Sequence, residues 1–77
     1  MNKKRREVID KLVTQLDQIK EDIDAIQQDE QATFENMPEN MQQGERGQAA
    51  ESAADALSTA VSSIDDAISA LQEASGE

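Results

Sequence analysis

The stretch IDKLVTQLDQIKEDIDAI, residues 9–26, decides the fold. Its large aliphatic residues on one stripe are Ile9, Leu12, Leu16, Ile19, Ile23 and Ile26, at spacings of 3, 4, 3, 4 and 3. A helix turns once every 3.6 residues or about that, so this alternation keeps all of them on one side. A strand needs alternation at every second residue, which is absent. In heptad terms Ile9, Leu16 and Ile23 take position a, and Leu12, Ile19 and Ile26 take position d, an a/d seam. Val8 and Val13 flank the seam and widen it. Asp10, Thr14, Asp17, Glu21, Asp24 and Gln28 occupy the opposite side. No Gly or Pro interrupts the pattern, so the expected helix covers 3–32.

A second run of the same kind lies further along. Leu57, Val61, Ile64, Ile68 and Leu71 repeat at 4, 3, 4 and 3, and Ala50 and Ala54 extend the stripe backwards. Ala53, Ala60, Ala67 and Ala74 form a second stripe at every seventh residue. Alanine supports helix at little entropic cost and lets another helix approach closely. The expected helix covers 47–74, followed by a frayed tail at 75–77.

Between the two runs lies FENMPENMQQGERG, residues 34–47, with the only Phe, the only Pro and two of the three Met. Pro38 breaks the first helix and holds Met37 in extended geometry. Pro38 to Gln42 suits one helical turn, with Glu39 near its positive end. Gly44 suits a reversal or cap, with Glu45 in the first turn of the next helix. The expectation is a structured turn over 33–46. Phe34, Met37 and Met41 then either plug the end of the hairpin or serve as partly exposed anchors for a partner.

Two long helices joined by a turn make an all-α fold, an antiparallel two-helix hairpin of coiled-coil type in one domain, 1–77. A chain of 77 residues has little core, since about 60% of the unfolded surface is buried at this size. With no Cys and no His, disulfides and imidazole or thiolate metal sites are excluded. Self-association remains. The apolar stripes are wider than one helix pair requires, which predicts a homodimer forming a four-helix bundle. The candidate self-association residues are Val8, Val13, Ala53, Ala60, Ala67 and Ala74.

The net charge of −10 opposes direct binding to nucleic acid or anionic membrane and fits a protein partner with a basic surface. One aromatic residue is too few for a base-stacking platform. No run is apolar enough to span a membrane, and MNKKRR is not followed by the uninterrupted apolar region of a secretory signal. Residues 21–55 hold ten acids and one base, and residues 1–20 hold six bases and three acids. This predicts a rod with an acidic tip and a basic base. Lys3, Lys4, Arg5 and Arg6 oppose the dipole of their own helix, and folding back predicts a clasp to Glu73 and Glu77. The candidate partner-binding residues are Phe34, Glu35, Met37, Glu39, Met41, Glu45 and Arg46.

Catalytic chemistry is not legible. His, Cys and Tyr are absent, and Ser58, Ser62, Ser63 and Ser69 have no base to activate them. Adjacent acids such as Asp65 and Asp66 diverge around a helix. The expectation is no enzyme, no cofactor and no metal.

The MNKKRR start, the DEQATFENMPENMQQGERGQ centre and a second helix with an A-x-x-x-I-D-D-A-I run together resemble small acidic helical-hairpin proteins of bacteriophages and mobile elements of Gram-positive bacteria. In these an N-M-P-E-N turn followed by E-R joins two helices. The resemblance implies a setting, a bacterial host cytoplasm, and not an activity; many proteins of that setting bind host proteins or block defence systems. Hairpins with a Trp-x-Gly turn share the outline, but this chain has no Trp. The expected function is a non-enzymatic protein-interaction module that binds a host or phage protein through its acidic surface, as a nucleic-acid mimic or a defence inhibitor. The alternative is a structural bundle protein with no regulatory target.

Overall fold

The computed structural model describes residues 1–76. Helix α1 runs Lys3–Glu35, a one-turn α2 covers Glu39–Gln42, and α3 runs Glu45–Ser75. Helix α1 packs along α3, and α2 packs on α3. Asn2 starts α1 from an extended conformation, and its side-chain oxygen accepts the Arg5 N–H at 2.8 Å. That capping bond satisfies one of the unpaired amides of the first turn.

Helix α1 outlasts the expected end at residue 32 by almost a turn. Nothing in Thr33-Phe34-Glu35 breaks a helix, so the stop is set by Pro38 alone, acting through its neighbours. The Asn36 N–H reaches the Ala32 carbonyl at 2.9 Å, and the Met37 N–H reaches that of Phe34 at 3.1 Å. Pro38 stands just before α2, and its carbonyl accepts from the N–H groups of Met41 at 2.9 Å and Gln42 at 3.0 Å. The Gln42 side-chain amide turns back to the Phe34 carbonyl at 3.0 Å, tying the turn to the end of α1.

Two glycines open α3 in different ways. Gly44 caps it with φ of −88°, which any residue adopts. Gly47 is buried, and a Cβ there would overlap the backbone of Gln42. The turn thus needs a glycine at 47 for close approach. Of the tail expected at 75–77, Ser75 is helical, Gly76 ends the helix, and Glu77 lies outside the described residues.

The packed rows differ from the a/d seam expected for α1. The partly covered residues are Ile9, Leu16, Ile23 and Glu30 in one row and Val13, Lys20, Gln27 and Phe34 in the next. These are positions a and e. Leu12, Ile19 and Ile26 at position d face outward and are 43%, 46% and 52% exposed. Three adjacent rows of α1 carry apolar residues, and one partner helix covers only two. Rotation toward e brings Val13 and Phe34 onto α3 and lets Lys20 reach Asp65. Helix α3 follows the same scheme, with Ala50, Leu57, Ile64 and Leu71 beside Gly47, Ala54, Val61, Ile68 and Ser75.

The resulting core is thin. Ala50, Ala54 and Ile68 are the buried hydrophobic residues among those described. The hairpin measures 58 × 15 × 12 Å with a radius of gyration of 17.3 Å. A compact chain of this length would have a radius near 11–12 Å, on the order of one-third less. Its accessible surface is 5623 Å², against about 4,600 Å² for a compact monomer of this mass. The rod shape thus leaves more surface exposed than a compact fold would, Val8, Leu12, Ile19 and Ile26 among it.

Candidate interaction surface

The Lys20 Nζ to Asp65 Oδ1 contact of 2.8 Å fixes the register of α1 against α3. In that register Leu12 is level with Ala74, Ile19 with Ala67, Ile26 with Ala60 and Thr33 with Ala53. Each of these residues sits on the d row of its helix, beside the packed a and e rows. Because the helices run in opposite directions, both d rows emerge on the same side of the hairpin. A shallow groove confirms this at the loop end: Thr33, Ala49 and Ala53 line it together with Glu30, Met37 and Arg46. The Lys20–Asp65 pair occupies the other side.

One side of the rod therefore carries a row of bulky aliphatics beside a row of alanines. Ala53, Ala60 and Ala74 are half-buried, and Ala67 is exposed. Val8 extends the bulky side and is 53% exposed. Val13 instead turns into the hairpin. Leu12, Ile19 and Ile26 take its place on the open face, and sequence reasoning missed them by assigning them to the intramolecular seam. The signal was present: α1 carries three neighbouring apolar rows, one more than a single packed helix covers.

The loop brings together some of the expected partner-binding residues. Met41, Glu45 and Arg46 line one shallow groove with Asn40 and Gly44. Met37 and Arg46 line the second groove. Phe34 lines neither; it is half-buried on the row that packs against α3, and Glu35 and Glu39 are exposed. Helical glutamines partner several acids nearby. Gln31 donates to Glu35 at 3.2 Å, Gln28 to Asp24 at 3.1 Å and Gln18 to Asp22 at 3.1 Å. Such bonds four residues apart hold carboxylates on a solvated helix surface. No group of acids among the described residues is arranged to hold a metal ion.

Charge divides at the Lys20–Asp65 level. Residues 20–66 hold twelve acids and two bases, so the loop half carries the whole net charge of −10. The remaining residues hold five of each. By sequence the half opposite the loop is therefore neutral and not basic; Glu73 of α3 folds back along α1, and Glu77 is outside the described residues. The expected clasp is corrected for its Glu73 half, and its Glu77 half is not described. Among the described residues no ion pair joins Lys3, Lys4, Arg5 or Arg6 to Glu73, and Lys20–Asp65 is the ion pair between the helices; Glu77 lies outside the described residues. The hydrogen bond from Lys20 to Asp65 raises the Lys20 pKa above 10.5, helped by the charges of Asp65, Asp17 and Glu21.

No helix among the described residues is long and apolar enough to cross a membrane. No known protein family, curated protein or solved structure matches this chain.

Proposed function

We propose that this chain is a non-enzymatic interaction protein of a bacterial host cytoplasm, in a phage or mobile-element setting. Two copies associate through the Leu12, Ile19, Ile26 and alanine face to make a four-helix bundle. The acidic loop half then faces a protein partner with a basic surface. The observation that carries this reading is the second apolar face on a hairpin whose own core is thin. Three large aliphatics in line at about half exposure are more than scattered surface apolar residues, which are common and need no explanation.

The charge of −10 on one half supports the second part, including the sharper form in which the acidic surface occupies a nucleic-acid site. Sedimentation equilibrium tests the first part, with a mass twice 8.4 kDa expected. Capture of basic DNA-binding proteins tests the second. Such capture is expected to fall away at about 0.5 M salt, where the screening length shrinks to a few ångström. Capture that survives unchanged contradicts an electrostatic mode of binding.

A further inference from the structure

A twofold axis can stack two such hairpins face to face in two ways. With the axis along the rod, α1 lies over the partner's α3 and both loops sit at the same end. With the axis across the rod, α1 lies over the partner's α1, α3 over α3, and the loops sit at opposite ends. We propose that the second copy lies on this face with its ends reversed, the axis passing between the two Ile19 side chains. This rests on the dimer reading above and specifies its geometry.

Charge separates the two arrangements. Packed helices lie about 8–10 Å apart, close to the screening length of about 8 Å at physiological salt. Loops at the same end would place one half of charge −10 directly on another, with Lys20 and Arg46 as the only bases in each. Reversal instead lays the neutral half of each copy over the charged half of the other. Lys3, Lys4, Arg5 and Arg6 then come level with Glu30 and Glu35 of the partner. Within its own hairpin this basic cluster opposes the α1 dipole and has no ion pair to a described acid. The reversed dimer supplies one.

The apolar rows fit the same axis. Leu12 and Ile26 each stand seven residues from Ile19, as Ala60 and Ala74 do from Ala67. Ile19 and Ala67 are level in the hairpin register, so one axis maps both rows onto themselves. Leu12 meets the partner's Ile26, and Ala60 meets the partner's Ala74. The level of Ile19 is also the middle of the rod, so the two copies overlap along their full length. From Ala53 to Ala74 the face is about 31 Å long, and two helices make it about 20 Å wide. This gives roughly 600 Å² per copy, at the lower end of the range for a specific interface.

The test uses the full chain carrying Glu39→Cys as its single thiol, spin-labelled, with the distance between labels measured by pulsed dipolar spectroscopy beside a sedimentation mass. A dimer with labels separated by nearly the 58 Å rod length is expected. A dimer with labels within about 20 Å, two helix spacings, overturns the reversed arrangement and leaves the dimer standing. A monomeric mass overturns both. Salt gives an independent sign: the reversed dimer weakens several-fold as salt rises, and a dimer that tightens contradicts the proposal.

Discussion

Lys20 and Asp65, 45 positions apart in the chain, meet at 2.8 Å across the hairpin. This contact sets Ile19 level with Ala67 and so defines the outer face proposed to receive a second copy. It also marks the boundary between the neutral and charged halves. The pair itself is exposed, so its role is register more than stability.

That role has a pH signature. The folded state holds the Lys20 proton more tightly than the unfolded chain does. The contribution is therefore complete below pH 10.5 and is lost as pH rises through the folded-state value. Thermal melts of wild type and Asp65→Asn should differ slightly at neutral pH and converge once the pH rises past the raised folded-state pKa of Lys20. A constant offset across that range would show that Asp65 acts through something other than the Lys20 charge.

The two turn glycines should behave oppositely. Gly47→Ala forces a Cβ into the Gln42 backbone and should destabilise the hairpin by about 2 kcal/mol or more, a magnitude typical of overpacking at a tight contact. Gly44→Ala meets only ordinary contact distances of 3.5 Å and beyond, so it should change little. Denaturant titration of both variants checks this, and equal costs would contradict the account of the turn.

Phe34 is the only aromatic, and it packs from α1 toward α3. Phe34→Ala should lower the unfolding free energy by about 1–3 kcal/mol, less than a fully buried Phe costs. Partner capture should survive wherever the hairpin stays folded. Unchanged stability with lost capture would instead make Phe34 an anchor.

Ile68 is 8% exposed, in the packed row of α3. Ile68→Ala should cost about 2–4 kcal/mol and, on so thin a core, should broaden or abolish the cooperative melt. A melt indistinguishable from wild type would mean that the core lies elsewhere.

The helices were legible because heptad spacing survives in any context. Their ends were less so. Fading apolar periodicity points to Ala32 as the limit of α1, yet only Pro38 stops the backbone. The turn glycines were legible as turn residues, but not which of them is sterically required, since that depends on how α2 crosses α3. Above all, spacing counted the apolar rows of α1 without fixing which two of them α3 covers. Val13 and Leu12 therefore exchanged places between inside and outside. The charge of each segment was plain in the sequence, but the neutral end emerged only when α3 lay beside α1.

Leu12, Ile19 and Ile26 are proposed to form an interface between copies. Sedimentation equilibrium of the wild type and Ile19→Asp at tens of micromolar decides whether they do. A wild-type mass of twice 8.4 kDa is expected. Ile19→Asp is expected to be monomeric but still helical, because an unpaired carboxylate buried at the axis should weaken association by at least about 100-fold. A wild type of 8.4 kDa that melts sharply as a monomer would contradict it.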